Sequence, residues 1–387
     1  MQAIIQEAAG RVESGSKNPH QRFYRPELDV LRFGAFFLVL VSHTLPSPDG
    51  PGFKLHILRA IRYTGSLGVP IFFLLSAYLI TELLLREREF TGTVHIRAFY
   101  LRRILRIWPI YFLVLLGTYF YGLFSPANRI PLAGIASYLL LAGNWYTLLA
   151  NHWLPLAALP LWSIGIEEQF YLIWPSVVRV AGKRTIFLVS VLLWITCQLV
   201  LLALSYRNVK ISPVIWLNSF THFQYFALGA LISLLFRDLV PKLGYLKRIC
   251  LALLGLLSLF IAEFSFSVFD QHDVAVVAKT VPGYMLVGVG AVLLFVAAFG
   301  ASIPAAAKPF VALGKISYGL YVYHGICIHL SIMLAEQVFQ IHHFRVVVAY
   351  VLGLPLTIVV SMLSYRYIET PFLRLKERFT LVQSRTV

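Results

Sequence analysis

The chain of 387 residues is 59% hydrophobic and only 13% charged, with a mean hydropathy of +0.76, whereas a soluble domain carries roughly a quarter charged residues. Too little polar surface remains to cover a water-soluble fold of this length, which leaves a membrane protein. Its 33 Lys and Arg outnumber its 17 Asp and Glu, a net charge of +16 that in a membrane chain points to basic cytoplasmic loops rather than to nucleic acid.

Met1 to Glu27 is polar and lacks an apolar core followed by a cleavage site, so residues 1–27 are expected to be a cytoplasmic segment and not a signal peptide. Ten spanning helices follow, predicted at 28–46, 66–85, 107–125, 161–179, 185–206, 214–236, 248–269, 281–302, 311–335 and 345–366, because about 20 apolar residues cross a ~30 Å hydrocarbon core with every backbone group paired. The fold class is therefore an all-α polytopic membrane protein. The apolar stretch near 130–153 contains Asn144, Trp145, Asn151, His152 and Trp153 and reads as an extracytoplasmic interfacial or re-entrant segment. With that choice, 24 of the 33 basic residues fall on the side of the two termini and 8 on the other, which makes both termini cytoplasmic. If 130–150 spanned instead, the bias would largely cancel. One membrane domain, 28–370, is expected, followed by a short basic cytoplasmic tail, 371–387. Cys197, Cys250 and Cys327 are isolated, so neither a disulfide framework nor a metal site is expected.

Ionisable groups inside spanning helices cost ~2.5–3.5 kcal/mol each and are functional candidates. In the first span Arg32 and His43 are eleven positions apart, about 16 Å along a helix and only ~20° around it, with Asp29 roughly 40° from His43. One face thus carries a cation near the cytoplasmic end and an imidazole toward the outer end, suited to an anionic donor from inside and a proton transfer deeper in. Snorkelling of Arg32 to phosphate head groups and a structural His43 would explain the same spacing. Ser76 lies mid-span, where a serine packs helices or lines a pocket.

Arg102, Arg103 and Arg106 precede the third span and share a helix face. Arginine binds phosphate bidentately, so the cluster could hold the phosphates of a nucleotide-bearing donor, or anionic lipid. Leu161 to Tyr171 opens the fourth span from outside and places Glu167 and Glu168 near the level of His43, where either could orient an imidazole, bind acceptor hydroxyls or cap the helix. In Ser317-Tyr318-Gly319-Leu320-Tyr321-Val322-Tyr323-His324, His324 lies about 20 Å into the ninth span, again at the depth of His43. Asp29, Ser76, Tyr171, Tyr318 and His324 are the candidates for binding substrate.

The order of these motifs resembles the acyltransferase-3 family of integral-membrane acyltransferases, from Arg25 to Arg374. The resemblance rests on Arg25-Pro26-Glu27-Leu28-Asp29-Val30-Leu31-Arg32 with His43 after ten intervening residues, Gly68 to Ile80, Arg103-Ile104-Leu105-Arg106-Ile107-Trp108-Pro109, Trp162 to Pro175, Ser317 to His324, and Ser364-Tyr365-Arg366-Tyr367-Ile368-Glu369-Thr370-Pro371-Phe372. Ala77-Tyr78 stands where Gly-Phe is usual, Gly165 where Ser is usual and Thr370 where Arg is usual. The resemblance implies that His43 is the catalytic base, and that Arg32 with the Arg103/Arg106 pair handles an acyl-coenzyme A donor arriving from the cytoplasm. It implies O-acylation of a carbohydrate-type acceptor, with acetyl-CoA the expected donor and the bacterial inner membrane the expected location. Glu167 and Glu168 join His43 as catalytic candidates, either of them holding its tautomer or binding the acceptor. The alternative reading is a polytopic transporter or flippase for a glycan or anionic metabolite, for which paired broken helices would be the sign.

Overall fold

A computed structural model describes residues 23–46, 50, 52–125, 129–155, 158–237, 239–269, 274–337, 344–380 and 382. Most of the expected N-terminal segment, and the tail past 380 except residue 382, lie outside the described residues. Among the described residues the structure is helical, with one isolated β-bridge between Lys210 and Val274.

Helix α1 spans Pro26–Thr44. Pro26 opens it with a preset φ, and Glu27 and Asp29 in its first turn complement the positive end of the helix dipole. Helix α2, Phe53–Ser66, which the sequence reading had not marked, leads directly into α3, Gly68–Thr91. Gly92, at φ +79°, closes α3 with the left-handed turn that glycine adopts at low cost. Helix α4 is Ile96–Phe124. It starts eleven residues before the predicted span, because no breaker interrupts the stretch ahead of Ile107, so the arginine cluster is part of the helix and not a prelude to it.

Two eight-residue helices follow, α5 Leu132–Leu139 and α6 Gly143–Ala150, bent at Leu141 with φ +60°. Each is about 12 Å long, too short to cross a ~30 Å core. The bend is anchored by Asn144, fully buried, whose Nδ2 donates to Leu217 O and Ser219 Oγ, each at 2.9 Å, while its Oδ1 accepts from Gln169 at 2.9 Å.

Helices α7 Leu161–Val180, α8 Lys183–Tyr206, α9 Ser219–Leu235, α10 Tyr245–Phe264 and α11 Val277–Ala298 come next. A short α12, Lys308–Lys315, breaks before α13, Ser317–Gln337. The last helical stretch, α14, Arg345–Glu377, passes through two π-helical turns at Ala349–Gly353 and Tyr365–Glu369. It continues past the predicted end at 366, so the expected tail begins as helix.

A helix therefore occupies each of the ten predicted stretches. Seven described helices are long and apolar enough to cross a membrane on their own, the continuous Phe53–Thr91 counting once. Helices α1 and α7 fall short of that measure and α9 has only 17 residues. The first two are polar for a reason, since α1 carries Glu27, Asp29 and Arg32 and α7 carries Glu167, Glu168 and Gln169. Helices α8 and α10 turn rows of leucine outward, among them Leu188, Leu192, Leu199, Leu253 and Leu257, the apolar coat that lipid requires. Helix α3 is the central element, and α9 crosses it so closely that a Cβ on Gly229 would lie 2.2 Å from Leu74 O.

Candidate active site

The polar side chains of α1, α3, α4, α7 and α13 gather in one region. At its lower end a cavity is lined by Arg25, Asp29, Arg32, Ser76, Arg103 and Arg106 together with apolar side chains. Asp29 is 2% exposed and accepts from Tyr24 Oη at 2.9 Å, and its other oxygen lies 4.0 Å from Arg32 Nη1. Helix α12 presses on α1 at this point, since a Cβ on Gly314 would sit 1.9 Å from Asp29 O. The guanidinium of Arg103 lies over the rings of Tyr171 and Phe99, at 5.2 and 5.6 Å. Among the described residues neither Arg103 nor Arg106 forms a salt bridge, and both line the cavity.

Arg102, from the same cluster, is directed elsewhere. Its Nη2 donates to Glu87 Oε2 at 2.6 Å and its Nη1 to Phe379 O at 2.8 Å. It does not line the cavity, because a buried carboxylate on α3 claims it.

Glu167 and Glu168 also part. Consecutive residues on a helix diverge by about 100°. Glu167 acts electrostatically on Arg32, Arg103 and the hydroxyls of Tyr171, Tyr318 and Tyr321, and it hydrogen-bonds Tyr171. Glu168 instead faces α4, where Trp108 Nε1 donates to Oε2 at 3.4 Å and Oε1 is buried without a partner. It lines a second cavity with Trp108, Gln169, Tyr171 and Arg103. Tyr318 hydrogen-bonds Ile107 O at 2.6 Å and fastens α13 to α4.

Above this region stand the two histidines. His43 Nδ1 lies 3.0 Å from His324 Nε2, with ring centres 5.0 Å apart. His324 is buried, whereas His43 is exposed. The ring that meets His43 is thus another imidazole, where the sequence reading had offered a glutamate. Among the described residues no cluster of three or more His, Cys, Asp or Glu gathers as a metal site would require.

A family model described as an acyltransferase domain matches residues 25–366. The chain belongs to this acyltransferase family. The O-acetyltransferase OatA of Staphylococcus aureus strain NCTC 8325 is 26% identical over 369 residues, which covers 90% of this chain and 57% of that one, and OatA of strain MRSA252 matches to the same extent. The S. aureus chain SAS0844 of strain MSSA476, provisionally named an O-acetyltransferase, is 27% identical over 368 residues with the same coverage. The chain thus spans a little over half the length of the curated relatives it matches. No solved structure matches it.

Within this acyltransferase-family chain, four residues that line or brace the region had not been singled out. Tyr321 hydrogen-bonds Ser163 at 2.7 Å and so ties α13 to α7. Its spacing of three from His324 places it on the same helix face. Trp108 and Gln169 line the second cavity. Gln169 was readable as a polar residue within a spanning helix, but nothing in the spacing of Trp108 or Ser163 marked either one.

Proposed function

We propose that the chain is a membrane O-acyltransferase that moves an acyl group, acetyl by preference, from acyl-coenzyme A on the cytoplasmic side to a hydroxyl of a carbohydrate-type acceptor. The observation that carries the reading is the cavity lined by Arg32, Arg103 and Arg106, with the His43–His324 pair farther along the helix that carries Arg32. Arg32 and His43 are separated by about 16 Å along α1, a distance that an extended thioester arm can bridge while its phosphates stay on the arginines. The donor supplies an activated acyl carbon.

His43 Nε2 takes the acceptor hydroxyl proton as the oxygen attacks that carbon, the carbon–sulfur bond breaks, and the proton passes on to the thiolate. Glu167, whose charge acts on Arg32, Arg103 and Tyr321, orients the groups that flank this path. Ten crossings with a re-entrant α5–α6 segment, both termini on the cytoplasmic side and an inner-membrane location complete the reading. They are supported by the positive-inside bias and by the shortness of α5 and α6.

The test is His43→Ala in membranes supplied with radiolabelled acetyl-CoA, reading label in the envelope carbohydrate fraction. A loss of about 10²-fold or more is expected. Activity within a few-fold of the parent would overturn the base assignment. Binding of coenzyme A to the purified chain, weakened by Arg106→Ala, separates the enzyme from a transporter.

A further inference from the structure

The chemistry of the His43–His324 pair is constrained by a third atom. His324 Nδ1 lies 2.6 Å from the backbone oxygen of Tyr321, one turn earlier on α13. A carbonyl can only accept, so Nδ1 of His324 carries a proton. An imidazolium would be a buried cation without a carboxylate here, against the edge of Phe36 at 6.0 Å and beside a second imidazole. In the neutral ring the single N–H is already committed to Tyr321, and Nε2 is left as an acceptor. The atom facing it across 3.0 Å, His43 Nδ1, must then be the donor. Neutral His43 likewise has one N–H, which leaves its Nε2 a lone pair on a residue that is exposed.

We propose that His324 is a positioning residue that fixes the Nδ1–H tautomer of His43 and thereby makes Nε2 of His43 the proton acceptor. A backbone carbonyl, a buried imidazole and an exposed imidazole form a directed chain; the backbone oxygen of Val39 also accepts from His43, and the His324 contact at 3.0 Å is the one that a side-chain substitution can remove. The scaffold around it is stiff, since Tyr321 is anchored to Ser163 on α7 at 2.7 Å and its ring packs on Phe72 with centres 5.6 Å apart. The role resembles that of the carboxylate that orients a catalytic histidine in hydrolytic triads, but with a neutral acceptor in place of a charge.

The inference rests on His43 being the base, and the experiment separates the two. Four full-length variants, His43→Ala, His324→Phe, His324→Leu and His324→Gln, are assayed for acetyl transfer from acetyl-CoA to envelope carbohydrate, with kcat and the KM for acetyl-CoA determined for each. Phe and Leu keep an apolar filling but accept no hydrogen bond, whereas Gln presents Oε1 where Nε2 stood.

The expected result is a fall in kcat of about 10²-fold or more for Phe and Leu, with KM within about twofold, and recovery to within about tenfold of the parent for Gln. Equal activity of Gln and Phe, whether high or low, with His43→Ala inactive, overturns the positioning role alone. Full activity of His43→Ala overturns the base assignment and this inference with it. If neither apolar variant can be purified as a folded chain, Gln decides: a loss of more than about 10²-fold in kcat refutes the proposal, and retention within about tenfold upholds it.

Discussion

The hydroxyls of Ser76 on α3 and Tyr171 on α7 hydrogen-bond to one another, and the bond lies where two cavities meet. Ser76 lines the basic cavity, Tyr171 lines the cavity of Glu168 and Gln169, and Arg103 lines both while lying over the Tyr171 ring. Tyr171→Phe removes a partner from Ser76 and from Glu167 together. It is expected to lower thermal stability by about 1–3 kcal/mol, the cost of buried groups left unpaired. Ser76→Ala leaves Glu167 as a partner for Tyr171 and should cost less, about 0.5–1.5 kcal/mol. Unfolding of the detergent-purified variants followed by tryptophan fluorescence ranks the two, and the opposite order would contradict the assignment.

The arginine cluster divides by function. Arg106→Ala removes a cation from the cavity and should weaken coenzyme A binding by roughly tenfold or more, the value of one charge-assisted hydrogen bond. Arg102→Ala should leave that affinity unchanged. It should instead destabilise the fold by about 2–3 kcal/mol, less than the ~3–5 of a fully orphaned buried charge, because the His95 amide still donates to Glu87 at 2.8 Å. Isothermal titration with coenzyme A and a thermal melt on both variants check the split.

Gly165 lies against the bend between α5 and α6. A Cβ there would meet Leu141 O at 2.9 Å, closer than real Cβ atoms come to a backbone oxygen. Gly165→Ser installs the residue usual at this place in the family. Here it should cost about 1–3 kcal/mol as overpacking, since the bend at Leu141 must give way. A melting midpoint equal to the parent's would show that the α5–α6 segment has room to move.

Asn144→Ala strips three hydrogen bonds from the buried knot that holds that segment to Gln169, Leu217 and Ser219. The local effect should exceed the global one, because α5 and α6 are each only eight residues long and lean on this anchor. Hydrogen exchange in 132–150 is expected to quicken by more than about tenfold, while exchange in α3 stays unchanged. Uniform exchange across the chain would argue against an independent segment.

Much of the fold was legible because spanning helices announce themselves locally. Each of the ten stretches predicted from apolar length proved helical, although helix α2 was missed, and the cost of charge in hydrocarbon singled out Arg32, His43, Glu167, Glu168 and His324 before any contact was known. The periodicity of one helix also placed Arg32 and His43 on a common face. Boundaries were less legible, as at α4, where the arginine cluster turned out to be helix because no breaker precedes it.

What the sequence by itself determined is which residues are costly in a membrane and how far apart they lie along a helix, since both follow from residue type and a period of 3.6. The tertiary structure alone decided their partners. It set Arg102 against Glu87 while Arg103 and Arg106 lined the cavity, turned Glu168 toward Trp108 and the second cavity while its neighbour Glu167 acts on Arg32 and Arg103, and brought His324 to His43 across 281 residues. The physical reason is that a helix fixes angles within itself, whereas which helix it faces, and at what rotation, is set by close contacts such as Gly229 on Leu74 and Gly314 on Asp29, which no single-helix pattern contains.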